Sequence, residues 1–410
     1  NINSATAIGA AASRLTITGG TTIDNSTVGS ITLTNNNPQT WNGNFTFTGT
    51  QALNMGAGAV TLGATPTITV SANTLTEGGA ISGSYGLTKA GPGTLVLTNT
   101  SNAYTAATTI SAGTLQLGAA NVIPDGSGKG DVSLTGTLDL NSFSEGINGI
   151  SGAGTVTSGV SGAVALTIGN NDATSSFGGL IQNGSGSMSI TKTGAGTLTL
   201  SNSNTYTGVT TINGGVISVA TLANGGAASN IGQAANTADK IVINGGTLSY
   251  TGGAISCDRL FTVGASGATI DASGSGALNL SNAGSVAYSG SATHLITLAG
   301  TNTGANTLAA VIGNDGSNAV SLTKSGAGEW VLSGNNTYTG TVSVSAGTLL
   351  VNGSCTGAGG AVTVSGGATL GGTGTVTGPV TVNSGATLSP GSAGPGILTF
   401  SNNLTLACGA

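Results

Sequence analysis

The chain has 410 residues and a formal charge of −5, and only 5% of its residues are charged where a globular protein carries about a quarter. An apolar fraction of 38% at so small a net charge excludes disorder, and 74 glycines without a three-residue period exclude collagen. Seven Lys and Arg leave no basic patch for nucleic acid, and no run of 18 apolar residues offers a membrane-spanning helix.

With aromatic residues at 3%, the core must be built from small β-branched and aliphatic side chains, which favours thin layers. The opening "NINSATAIGAAASR" has neither an initiator Met nor a charged leader before an apolar core, and reads as a mature chain or a fragment. Residues 1–75 read as N-terminal coils. There Thr16-Ile17-Thr18, Thr32-Leu33-Thr34 and Thr46-Phe47-Thr48 alternate as strands with one buried face. An ice-binding array needs such pairs at constant spacing, and steps of 16 and then 14 residues do not continue one.

Residues 76–353 form a central region with three long repeats, at about 80–118, 180–219 and 311–352. Their cores are "LTKAGPGTLVLTNTSNAYTAATTISAGTLQL" from 87, "ITKTGAGTLTLSNSNTYTGVTTINGGVISV" from 190 and "LTKSGAGEWVLSGNNTYTGTVSVSAGTLLV" from 322. Lys89, Lys192 and Lys324 are equivalent. Tyr104, Tyr206 and Tyr338 follow 14 or 15 residues later, and Gly113, Gly215 and Gly347 lie nine beyond the tyrosines. A finer period runs through the chain: Gly93, Gly113 and Gly136 head "GTLVL", "GTLQL" and "GTLDL", and Gly347, Gly367 and Gly385 continue it at steps of 20 and 18. Each unit holds two or three short alternating strands divided by Gly, Asn and Ser, with no helical stripe between them.

This pattern predicts an all-β, right-handed parallel β-solenoid (a β-helix) of about 19–20 coils, in which residues 354–410 supply the C-terminal coils of one continuous rod. At about 4.8 Å per coil the rod would be roughly 90–95 Å long. In-register stacking also accounts for the missing charge, since a charge repeated on every coil would repel itself while Thr, Ser and Asn can form ladders.

Strict alternation aims the repeated lysines at the core, where a charge is costly, so the strand is expected to end there with each lysine on a solvated corner or against neighbouring carbonyls. The tyrosines are expected to pack over the corner with their hydroxyls in water. Asp125, Asp131, Asp139 and Glu145 crowd beside Lys129. A carboxylate pair there could serve glycoside hydrolysis, but a solubilising cluster or an adventitious calcium site reads first, with Asp139 facing outward. "GNND" at 169–172 and "GNDG" at 313–316 read as Asx-type turns, and the single histidine, His294, as a strand-packing residue without a catalytic partner. Cys257, Cys355 and Cys408 allow one bridge at most and fit no zinc spacing. No catalytic, cofactor-binding or metal-ligating residue is therefore assigned, and the nine repeat residues count as structural marks.

The three repeat cores resemble the autotransporter-associated β-strand repeat (passenger-associated transport repeat) of bacterial passenger domains. The C-terminal "LGGTGTVTGPVTVNSGATLSPGSAGPGILTFSNNLTL", 370–406, is similar to the last passenger coils of such proteins. The resemblance implies a location outside the cell or on the bacterial outer surface, and an adhesive or scaffolding role. The barrel expected downstream is not in this sequence. The expected function is a non-enzymatic structural solenoid acting as an adhesive shaft or a self-assembling fibre subunit in surface attachment or biofilm matrix, with a cleaved monomeric adhesin as the alternative. A polysaccharide-active enzyme or an ice-binding protein ranks lower. Its expected partners are further copies joined end to end, through "SATAIGAA" and "NNLTLACGA", and surface glycans. No cofactor, nucleic acid or membrane span is expected.

Overall fold

The structure, a computed structural model, describes residues 1–355, 357 and 360–409. It contains strands of two to six residues and, among the described residues, no α-helix; the sole helical segment is a short 3-10 turn at Ala238–Lys240. Chains this rich in Gly, Asn and Ser turn often, and so short a strand is stable only when neighbours on both sides complete its ladder.

The chain folds as two compact units, one of residues 1–198 with 204–208 and the other of residues 199–203 with 209–410. The first is a parallel solenoid. One of its faces runs through Thr21–Ile23, Phe45–Phe47, Thr67–Val70, Leu87–Ala90, Thr108–Ile110, Val132–Leu134 and Ile150–Gly152. A second face runs from Ile31–Thr32 through Thr74–Glu77, Thr94–Leu97 and Thr114–Leu117 to Leu180–Ile181. The second unit repeats the plan. Its longest face links Val216–Val219, Thr247–Tyr250, Ala268–Ala272, His294–Ala299, Val320–Lys324, Val342–Val344, Val362–Val364, Val380–Val382 and Leu404–Leu406.

Together the units hold about 18 turns, slightly fewer than length divided by 21 predicts. The difference lies in loops. Leu134 pairs with Gly152, 18 residues on, whereas Val216 pairs with Thr247, 31 residues on. That longest turn carries the segment 220–240, held by buried Arg259, which donates to the carbonyls of Ala223 (2.8 Å), Ala227 (3.1 Å) and Gly232 (2.9 Å).

Alternation decides what each face buries. Leu198, Leu200, Ile212, Ile217 and Val219 are all at most 1% exposed, as the pattern of "TLTL", "TTI" and "VISV" requires. Facing outward in the second unit, Thr247, Thr269, Thr297, Thr323, Ser343, Thr363, Thr381 and Thr405 stand in one unbroken column, the hydroxyl ladder that permits in-register stacking without charge.

The segment "SATAIGAA", 4–11, forms turns rather than a strand edge. Its carbonyls are occupied by the second turn: Thr34 N–H donates to Ala5 O at 2.9 Å, and Asn37 Nδ2 to Ala10 O at 2.7 Å.

Candidate functional site

The repeat marks converge on corners of the solenoid, and their placement corrects two expectations. Two strands end at the lysine as expected and the first runs one residue past it, and the lysines lie against neighbouring carbonyls, but inside the core rather than on a solvated corner. Leu87–Ala90, Ser187–Lys192 and Val320–Lys324 include them, and all three side chains are fully buried. Lys89 occupies an inward column between Ile68 and Ile110, and Lys324 one between Leu298 and Val344, so each aliphatic stem takes the volume of a branched aliphatic residue.

The charge is tolerated because the ammonium ends in a nest of carbonyls. Lys89 Nζ donates to Ala90 O (2.8 Å), Gly91 O (2.7 Å) and Ala112 O (3.1 Å). Lys324 Nζ makes the same set with Ser325 O (2.8 Å), Gly326 O (2.8 Å) and Ala346 O (3.0 Å). Lys192 Nζ donates to Thr193 O and, at 3.0 Å, to Gly194 O. An ammonium has three donors and no acceptor, so three carbonyls satisfy it completely. Burial pulls Lys89 and Lys324 down to about 8, and the carbonyl dipoles oppose that shift by favouring the charged form. The third partner of Lys89 and of Lys324 lies on the next turn, so each lysine ties two turns together.

Gly113 and Gly347 follow those third carbonyls and complete the knot. Both hold a left-handed backbone, φ +62° and +63°. A Cβ on Gly113 would sit 2.3 Å from Gly91 O and 2.9 Å from Lys89 Nζ, and one on Gly347 would sit 2.3 Å from Gly328 O. Gly215 shares the conformation, φ +59°.

The tyrosine hydroxyls do not reach water. Tyr104, Tyr206 and Tyr338 are buried. Tyr104 Oη shares a hydrogen with Thr108 Oγ1 at 2.7 Å, and Tyr338 Oη donates to Cys355 Sγ at 3.3 Å. A buried phenol needs a partner, and the corners of Tyr104 and Tyr338 supply one. Alternation missed a further mark two residues before each tyrosine. Asn102, Asn204 and Asn336 accept from the backbone N–H of Ile81, Ile181 and Ile312 at 2.8, 2.8 and 2.9 Å. The recurrence of Asn-x-Tyr in all three cores was the available signal.

In the acidic region the carboxylates are taken up by N–H donors of the backbone and of Asn and Gln side chains, and Glu145 also feels the charge of Asp125. Glu145 accepts from Val122 N (3.1 Å) and Ile123 N (3.0 Å), and burial pushes it up to about 8. Asp131 accepts from Gly149 N at 3.0 Å, and Asp125 from Asn170 Nδ2. Asp139, expected to face outward, is covered: it accepts from Gly159 N (2.7 Å), Asn141 N (2.9 Å) and Gln116 Nε2 (2.8 Å). Among the described residues no group of three or more His, Cys, Asp or Glu could hold a metal.

Sequence reasoning also missed a third buried carboxyl, Glu77, which accepts from Gly79 N (2.8 Å) and Gln39 Nε2 (3.0 Å) and is raised to about 8 by burial. His294 is buried as expected, yet it has an acidic neighbour that spacing did not reveal. Its Nδ1 lies 3.1 Å from Gly264 O and its Nε2 3.2 Å from Asp315 Oδ2, within the "GNDG" turn. Cys257 and Cys355 are buried thiols and Cys408 an exposed one, all unpaired.

The family model described as passenger-associated-transport-repeat matches residues 87–117, 190–219 and 322–351, the three segments that carry the knots. Over 302 residues the chain is 36% identical to the Adhesin BmaC autotransporter of Brucella suis biovar 1 (strain 1330). The alignment covers 70% of this chain, and the chain spans about 8% of that relative's length. No solved structure matches the chain.

Proposed function

We propose that this chain, a β-solenoid of the autotransporter-passenger type with three passenger-associated transport repeats, is an adhesin-like segment displayed on the bacterial outer surface, where it supports attachment without catalysis. The observation that carries the reading is the use to which the repeat residues are put. In the first and third repeats lysine, glycine, asparagine and tyrosine serve to hold turns together, through carbonyl nests, close backbone contact and buried side-chain hydrogen bonds, and in the second Asn204 does so. A segment so built resists unravelling while leaving its outward columns free for contact. The name of the similar Brucella protein, an adhesin, supports the same reading. The engaged carboxylates at 125–145 support a role without hydrolysis, because each is taken up by N–H donors rather than by a facing carboxylate.

The test is display of residues 1–410 on a non-adherent bacterium, with attachment to abiotic and cell surfaces counted against a display control. Attachment no greater than the control sinks the adhesive reading. Head-to-tail fibre formation is the finer alternative. Electron microscopy of the purified chain distinguishes it, since isolated particles at every concentration discard the fibre.

A further inference from the structure

The third repeat departs from the other two at one ladder position. Where the first and second carry Thr94 and Thr197, each after a Gly, the third carries Glu329 after Gly328. Glu329 begins an outward column that continues through Thr348, Thr369 and Thr387. Over this column the segment from Pro390 to Pro395 folds back. Gly391 and Gly372 exchange backbone hydrogen bonds of 2.8 and 2.9 Å, and Asn352 Nδ2 pins Ser392 Oγ at 3.0 Å. The overhang and the column enclose an open groove of about 590 Å³, within the size range of small-ligand sites. Leu350, Thr348 and Thr369 line it with Glu329, and Pro390 and Pro395 belong to the overhanging wall.

The state of the Glu329 carboxylate singles the groove out. Glu77, Glu145 and Asp139 each accept two or more hydrogen bonds from the protein. Glu329 is half-buried, burial raises its pKa, and no donor of the described residues reaches its side chain. Its oxygens are open to the groove rather than buried without a partner, so their lone pairs stay available to a ligand that donates hydrogen bonds.

We propose that this groove binds an uncharged glycan, with sugar hydroxyls donating to Glu329 and exchanging hydrogen bonds with Thr348 and Thr369, and the apolar face of a hexose resting on Leu350 and the prolines. The groove's single charge is negative, so anionic sugars are repelled, while a neutral sugar can still donate its hydroxyl hydrogens to the carboxylate. A peptide strand is the poorer occupant. The backbone groups of Gly372 and Gly391 at the root of the overhang pair with each other, so an added strand would find those groups taken. The inference rests on the adhesive reading above and supplies its recognition element.

The experiment is saturation-transfer NMR on the full chain with cellobiose as the neutral probe and 3′-sialyllactose as the anionic one. Cellobiose should show transfer and 3′-sialyllactose none. Glu329→Thr restores the residue that the other repeats use, and should leave melting unchanged while weakening cellobiose binding at least ~10-fold, the loss expected for a hydrogen bond to a charged group. Ser389→Trp, at an exposed position lining the groove, should do the same by filling it, and decides the matter if Glu329→Thr fails to fold. Absence of cellobiose transfer, or transfer unchanged in both variants, overturns the proposal. Cells displaying Glu329→Thr that attach as well as wild type would remove the groove but keep the adhesive reading. Cellobiose binding without attachment would do the reverse.

Discussion

The first and third repeats are built from almost the same residues, and comparing them separates what the backbone fixes from what side chains negotiate. Around Lys89 and Lys324 the ammonium nests agree in every partner position and to within about 0.1 Å in length. The carbonyls in those nests belong to turns, and the turns recur because glycine recurs. Around Tyr104 and Tyr338 the copies diverge. Tyr104 meets Thr108 and feels the charge of Glu145, whereas Tyr338 has Val342 in place of that threonine and turns to Cys355. A contact made to the backbone survives drift in the surrounding sequence, and a contact made to a side chain must be found afresh.

The largest test breaks the feature that the copies share. Lys89→Met and Lys324→Met keep the stem that fills the inward column but leave three buried carbonyls without donors. Each unpaired buried acceptor costs about 1–3 kcal/mol, and relief from burying a charge returns part of that, for a net loss of about 2–4 kcal/mol per variant. Chemical denaturation should show losses of similar size in both variants. A loss in one and none in the other would mean that the nests are alike in geometry alone. A melting curve unchanged in both would restore the solvated-corner view.

A smaller effect sharpens the difference. Beside Tyr104 lies Glu145, whose pKa burial raises to about 8, while the neighbour of Tyr338 is a thiol. A carboxyl raised in the folded state contributes stability that is complete below its ordinary value of 4.5 and disappears as pH climbs through about 8. Glu77, raised to the same value, adds to the trend within the first unit. The buried lysines have the opposite sign. Folded Lys89 and Lys324 release their protons near 8 and unfolded lysine only near 10.5, so their contribution improves across that interval in both repeats. Between pH 5 and 8, hydrogen exchange corrected for intrinsic rates should therefore show the strands around Tyr104 losing more protection than those around Tyr338, whose repeat has only the half-exposed Glu329 as a raised carboxyl. Glu145→Gln should flatten the first profile, and equal slopes in the two repeats would contradict the assignment to Glu145.

Much of this was legible in the sequence, and the failures have a common cause. The 20-residue glycine period gave the parallel solenoid, and alternation placed Leu198, Leu200, Ile212, Ile217 and Val219 inside. Alternation also aimed Lys89, Lys192 and Lys324 inward. The expectation of a solvated corner or neighbouring carbonyls rested on the cost of a bare buried charge; the carbonyls are there, but inside the core, where those of two turns surround the Lys89 ammonium. Two of those carbonyls follow the lysine directly, but the third belongs to a residue 22 or 23 positions away on the next turn, and nothing in the lysine's own strand announces it. The same holds for Tyr104 and Asp139, whose partners lie across a corner or on a neighbouring turn. Period and polarity report which way a side chain points. They do not report what waits there.

The smallest effect isolates the tyrosine hydroxyls. Tyr104→Phe removes a 2.7 Å hydrogen bond and strands the Thr108 hydroxyl in the core, at a cost of about 1–2 kcal/mol. Tyr338→Phe gives up only a contact to sulfur, a weak acceptor, and should cost under about 0.5 kcal/mol. The comparison can then be inverted by giving the third repeat the residue that the first one has. Val342→Thr is close in shape and places a hydroxyl four residues after Tyr338, the spacing of Thr108 after Tyr104. If that spacing alone sets the pair, the variant is near neutral because the new hydroxyl meets the tyrosine, and adding Tyr338→Phe to it now costs as much as Tyr104→Phe does. If Cys355 holds Tyr338 in a different pose, Val342→Thr instead buries an unpaired hydroxyl and loses about 1–3 kcal/mol by itself. A double-mutant cycle on Tyr338 and residue 342, measured by denaturant midpoint, separates the two outcomes.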